Sequence, residues 1–160
     1  MNLEYFFEIK QEIEDKGFKV VGYDFNRPWG GFLKIDESQS NKFILDFISE
    51  EKLKIDGKIS PKILIVNPQA KLSWQYHHRR KEIWRVYKNK VGIIRSMNDN
   101  ENQMKIFKSG DLIKLEKEER HRLIGLSKIG IVAEIWMHTD PNYPSDEDDI
   151  VRLQDDYFRN

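Results

Sequence analysis

Leu72-Ser73-Trp74-Gln75-Tyr76-His77-His78-Arg79-Arg80-Lys81-Glu82-Ile83-Trp84 is the stretch whose reading decides the fold. Gln75 and His77 are two apart, and residues i and i+2 of a strand share a face. An amide oxygen and an imidazole therefore project together. Glu82 stands where the next strand should begin, and His121 opens a later apolar run. Two imidazoles, a carboxylate and an amide oxygen suit a divalent first-row cation. The expectation is that Gln75, His77, Glu82 and His121 meet at one metal ion inside a β structure.

Working outward, short runs of strand character cover residues 62–66, 71–76, 82–87, 91–96, 103–107, 111–115, 121–126 and 129–137. Asn67-Pro68, Lys88-Asn89-Lys90, Asn98-Asp99-Asn100 and Ser109-Gly110 supply turns between them. Two earlier strands are expected at residues 20–23 and 31–35. Regular short strands of this kind predict an all-β sandwich or barrel. Phe6, Phe7, Ile9 and Ile13 give a helical stripe at the N-terminus, stopped at Lys16-Gly17. Phe43, Ile44, Phe47 and Ile48 predict a short inserted helix over residues 41–53. After the Asp140-Pro141-Asn142-Tyr143-Pro144 loop, Ser145 and the acids Asp146 to Asp149 predict a capped C-terminal helix. The expected plan is one domain: helix 1–17, barrel 18–137, loop and helix 138–160.

Composition narrows the classes. Lysine plus arginine, at 27, equals aspartate plus glutamate, so a nucleic-acid partner, which needs a basic surface, is not expected. There is no cysteine, which removes disulfide frameworks and thiolate metal sites. No apolar run approaches the ~18 residues of a membrane span, and the start lacks the pattern of a signal peptide. A cytoplasmic protein is the expectation.

The spacing Gln75-x-His77 followed by Glu82, with Gly110 eleven residues before His121, resembles the two-part signature of the cupin superfamily. Arg27-Pro28-Trp29-Gly30, the central stretch, His121-Arg122-Leu123 and Glu147-Asp148-Asp149-Ile150-Val151-Arg152, taken in order, look like the type II mannose-6-phosphate isomerase cupin. In bifunctional enzymes this domain forms the C-terminal half beside a guanylyltransferase. No glycine-rich nucleotide-binding segment precedes it here, so the transferase activity is not expected. The resemblance implies a jelly-roll β-barrel whose metal ligands are Gln75, His77, Glu82 and His121. Zinc heads the candidates, followed by manganese, iron, cobalt and nickel. The chain departs from the family where Arg79 replaces a third histidine, Trp136 a glutamine and Phe158 a glycine. Asn89, Glu116 and Glu118 likewise replace expected turn residues.

Aldose–ketose isomerisation passes through an enediol and needs an electrophile and a base. The resemblance implies mannose 6-phosphate and fructose 6-phosphate as substrates. Lys62, Arg79, Arg80, Arg122, Arg152 and Arg159 are candidate phosphate partners, because guanidinium groups pair bidentately with phosphate. Arg152 and Arg159, seven apart, share a face if that segment is helical. The expected anchors are Arg159, also counted in the catalytic set, with Arg152 and Lys62. Glu134 ranks above His78 as base, since His78 alternates away from the face of His77. Trp29, Trp74, Trp84 and Trp136 read as core, with Trp74 and Trp136 also able to edge a pocket. Edge strands and the apolar first helix make a homodimer reasonable. Two alternatives stand beside this reading: an isomerase of another phosphorylated sugar, and a non-catalytic cupin that binds metal or sugar.

Overall fold

The computed structural model of the chain describes residues 3–48 and 57–159. It opens with helix α1 (Leu3–Asp15), then strands β1 (Val20–Arg27) and β2 (Gly30–Ile35). A 3-10 turn (Glu37–Gln39), helix α2 (Ser40–Phe43) and a π-helical turn (Ile44–Ile48) follow. Nine strands complete it: β3 (Ile59–Val66), β4 (Trp74–Tyr76), β5 (Arg80–Lys88), β6 (Val91–Ser96), β7 (Lys105–Phe107), β8 (Leu112–Leu115), β9 (Arg120–Gly125), β10 (Gly130–His138) and β11 (Val151–Gln154). They form two antiparallel sheets, ordered β1-β2-β3-β10-β5-β8 and β11-β4-β9-β6-β7, the two halves of an open jelly roll. No helix among the described residues is long and apolar enough to cross a membrane.

Alternation along each strand assigns the faces. On β3, Ile63 and Ile65 point outward, joining Leu33, Ile83, Ala133 and Ile135 against Phe6, Ile9 and Ile13 of α1 and Phe43, Phe47 and Ile48 of the inserted turns. Leu64 and Val66 point inward with Trp84, Val86 and Val132, and meet Val91, Ile93 and Leu123 of the second sheet. The central strands of the larger sheet are buried on both faces. This explains why their sequences read as continuous apolar runs rather than clean alternation.

The inserted helix is present over Ser40–Ile48 as a mixed α and π turn; its expected end at residues 49–53 lies outside the described residues. The C-terminal helix does not form. Asp146 instead caps a tight turn, accepting from the backbone N–H groups of Asp148 and Asp149. Asp149 accepts from the backbone N–H of His78 and Arg79 and from the Ser145 hydroxyl. Acids taken for helix-dipole partners are thus bound to the β4–β5 turn. The β-branched Ile150-Val151 pair then leads into β11, which extends the second sheet beside β4.

Two left-handed turns answer the departures from the family's glycines: Asn89 has φ 61° and Glu118 φ 63°. Glu118 donates its N–H to the His77 carbonyl, a tie that fixes its strained backbone. Helix α1 should carry real folding energy through Phe6. Phe6→Ala is expected to lower stability by about 3–5 kcal/mol in urea unfolding; a loss below ~1 kcal/mol would show that α1 is only loosely docked.

Candidate metal centre

Cross-strand registers build the site. On the inner face of the six-stranded sheet one row runs Ser60–Trp136–Glu82 and the next Lys34–Lys62–Glu134–Trp84. Below these lies the apolar row Phe32–Leu64–Val132–Val86. Facing them, Gln75 of β4 stands directly opposite His121 of β9 on one side and Arg152 of β11 on the other. His77 follows immediately after β4. Polar chemistry is confined to one end of the interior, and packing fills the other.

His77, Glu82 and His121 converge. The two Nε2 atoms are 3.3 Å apart, and the Glu82 carboxylate oxygens lie 3.5 Å from His77 Nε2 and 3.3 Å from His121 Nε2. All three residues are at least 97% buried. Backbone carbonyls set the tautomers: His77 Nδ1 lies 2.6 Å from the Asp149 oxygen and His121 Nδ1 2.9 Å from the Glu119 oxygen. A carbonyl only accepts, so each Nδ1 carries the proton and each Nε2 turns a lone pair inward. Burial pushes the His77 pKa down to about 3 and lowers that of His121, so both rings are neutral. Burial alone would raise Glu82, but the Arg80 guanidinium that donates to it holds it well below the usual carboxylate range.

Two lone pairs and a carboxylate oxygen, Glu82 Oε2, which has no hydrogen-bond partner among the described residues, thus face one point. Arg80 reaches His77 Nε2 at 3.1 Å, but acceptors cannot otherwise satisfy one another, and a cation can. Donors at ~2.05 Å from a tetrahedral ion stand about 3.3 Å apart, and the observed separations match. These three residues can hold a metal ion.

The remaining sequence candidates divide. Glu134 is buried in the same cavity, its two oxygens each 2.8 Å from an indole N–H, of Trp84 and of Trp136. Burial and the nearby Glu82 charge raise its pKa to about 7. His78 is exposed beside Glu118 and points away. Lys62, Arg152 and Arg159 all line the cavity. The helical face proposed for the last two is absent: Arg152 lies on β11, and Arg159 ends a turn whose Asp155 carboxylate holds its guanidinium with two contacts of 2.8 Å.

Arg79 and Arg122 are structural. Arg79 ties down Pro144 and Asp146, and Arg122 bonds Leu72, Glu101 and Gln154. Trp74 leaves the pocket for a small cluster with Ile94 and Ile124, because strand alternation turns it away from Gln75. Trp136 does line the cavity, with Arg80 3.6 Å from its ring.

Arg80, expected from the sequence only as a candidate phosphate partner, sits against the ligands in the cavity, and Arg27, expected in no site role, lines it too. Arg80 donates to Glu82 Oε1 at 2.8 Å and lies 3.1 Å from His77 Nε2. Its place two residues before Glu82 on one strand was the available signal. Arg27 reaches the cavity from the β1–β2 turn. That turn requires Gly30, since a Cβ there would meet the Ile65 carbonyl oxygen at 2.0 Å.

Zinc at about 100 times its Kd is expected to stabilise the chain by about 2.7 kcal/mol. His77→Ala and His121→Ala should both lose this gain and stoichiometric binding in calorimetry. Undiminished zinc affinity in both variants would place the ion elsewhere.

Comparison with solved structures supports the fold. The chain superposes on a variant of Bacillus subtilis oxalate decarboxylase with a TM-score of 0.57, at 9% identity over 79% of this chain and 29% of that one. The vicilin of Solanum lycopersicum matches with TM-score 0.54, 20% identity, 84% of this chain and 33% of that one. The vicilin of Corylus avellana gives 0.54, 14%, 86% and 34%. The chain thus spans about a third of the length of these structures. Among curated proteins no sequence matches it. The family described as mannose-6-phosphate isomerase C-terminal matches residues 46–155, which include the converging ligands, Glu134 and β11. The chain belongs to the mannose-6-phosphate isomerase C-terminal family.

Proposed function

We propose that this chain is a metal-dependent sugar-phosphate isomerase that interconverts mannose 6-phosphate and fructose 6-phosphate. The observation that carries the reading is the placement of Glu134, an acid–base group, in the same buried cavity as the His77–Glu82–His121 cluster and the Arg152–Arg159 end. In this reading Gln75, beside His121 in register, is the fourth ligand. The bound cation, zinc or another first-row divalent ion, would supply Lewis acidity at the sugar's C1 and C2 oxygens.

The protein's own groups do the rest. Arg152 and Arg159 hold the phosphate, and charge-assisted guanidinium contacts fix which end of the sugar enters. Glu134 in its ionised form, steadied by the Trp84 and Trp136 N–H groups, takes the proton from C2 of the open-chain aldose. It returns that proton to C1, while the O2 hydroxyl proton passes to O1, giving the ketose. Trp29, Trp84 and Trp136 exclude water from the enediol. Arg80 keeps Glu82 ionised and oriented.

A second reading, an isomerase of a different phosphorylated sugar, is favoured by Trp136. This bulky residue stands where the family places a glutamine, and its ring takes up cavity wall between Lys62 and Arg80.

Metal-loaded protein is expected to interconvert the two hexose phosphates in a coupled assay. Glu134→Gln should lose about 10²–10⁴-fold in kcat while still binding metal. A folded, metal-loaded chain without turnover would reject the hexose assignment. A panel of phosphorylated sugars separates the two readings: Trp136→Gln should raise kcat/KM for mannose 6-phosphate if Trp136 sets a different sugar. An unchanged or lower value would remove Trp136 as the selecting residue.

A further inference from the structure

Lys62 is a buried lysine whose side chain is only 9% exposed. Its Nζ sits 4.1 Å from the Trp136 ring centroid and 4.7 Å from that of Phe32. Those rings attract a cation but do not neutralise it. Neutralisation comes from Glu147, whose Oε1 is 2.7 Å from Lys62 Nζ and 3.5 Å from Lys34 Nζ. Lys34 and Lys62 are cross-strand partners on β2 and β3. One carboxylate oxygen is therefore gripped by two ammonium groups fixed in register by a sheet.

Glu147 itself is not part of that sheet. It belongs to the segment between β10 and β11, which has no regular secondary structure. Its neighbours Asp146 and Asp149 are tied into backbone caps and to Arg79. Among the described residues the Glu147 carboxylate has no hydrogen-bond or ion-pair partner except the two lysines. Its side chain is half exposed. Lys62, Trp136 and Glu147 line both the cavity of the His77–Glu82–His121 cluster and an outer groove that also holds Lys34 and Lys58. The pair of lysines can thus be reached from outside without passing the metal ligands.

We infer that Lys34 and Lys62 form an anion-binding subsite for a phosphate group, with the Glu147 carboxylate seated in it as a displaceable internal anion. Two cations on the sheet and one half-exposed carboxylate from a loop suit exchange: a phosphate oxygen replaces the carboxylate oxygen, and the buried Lys62 charge is never left uncompensated. The subsite lies on the six-stranded sheet, apart from Arg152 and Arg159 on the other side of the cavity. It does not depend on the isomerase reading, because it needs neither the cation nor turnover.

The test is calorimetric titration of the chelator-treated full chain with inorganic phosphate at low ionic strength. Glu147→Gln frees the lysines and is expected to tighten phosphate binding about tenfold, since a self-occupied site binds in proportion to its open fraction. Adding Lys34→Met to Glu147→Gln should erase that gain. Asp146→Asn removes one negative charge from the same segment and should leave affinity at the wild-type value. All three positions are partly exposed, and circular dichroism verifies the fold of each variant. Unchanged affinity in Glu147→Gln, a gain that survives Lys34→Met, or an equal gain in Asp146→Asn would each overturn the subsite.

Discussion

The hydrogen bond from His77 Nδ1 to the Asp149 carbonyl is the constraint on which the centre rests. With its counterpart from His121 Nδ1 to the Glu119 carbonyl, it chooses the tautomer that aims both Nε2 lone pairs at Glu82. Reversed tautomers would put two N–H groups 3.3 Å apart and facing each other, with no room for a cation. The same Asp149 closes the β4–β5 turn with its side chain, through the N–H groups of His78 and Arg79. One residue from a loop thereby fixes both a ligand's proton and the backbone that carries the ligand.

The jelly roll makes such a concentration of polar groups tolerable. Glu82, Glu134, Lys62, Arg80, His77 and His121 are all buried, and an unpaired buried charge costs several kcal/mol. The charged groups find partners close by: Arg80 for Glu82, indole N–H groups for Glu134 and the loop residue Glu147 for Lys62. The apolar row of Phe32, Leu64, Val132 and Val86 lies immediately beneath, so the polar layer sits on a packed floor. The helices contribute elsewhere. They cover the outer face of the larger sheet and bury its central strands on that side.

Much of this was legible in the chain. Short apolar or alternating runs between turn residues located every strand from β1 to β10 to within a few residues, and the i, i+2 spacing placed Gln75 and His77 on one face. The spacing also singled out Glu82 and His121, although nothing local shows that strands 39 residues apart meet. The C-terminal segment misled because Ser145 and a run of acids carry a helix-start pattern. Their carboxylates are consumed by long-range partners that sequence reading cannot see. Arg152 and Arg159 reached the cavity by a strand and a turn rather than by the helix face that linked them. The pairing of Lys34 with Lys62 depended on the register of β2 against β3, which no short-range pattern specifies. Trp74 is core as read, and its alternative place at the pocket edge fails because one step of alternation from Gln75 puts it on the opposite face.

X-ray absorption at the metal edge of the zinc-loaded chain tests the central claim most directly. The account predicts a first shell of nitrogen and oxygen at about 2.0–2.2 Å with the multiple-scattering signature of two imidazoles. That signature should drop to one in His121→Ala. An oxygen-only shell without imidazole scattering would contradict a cation shared by His77, Glu82 and His121.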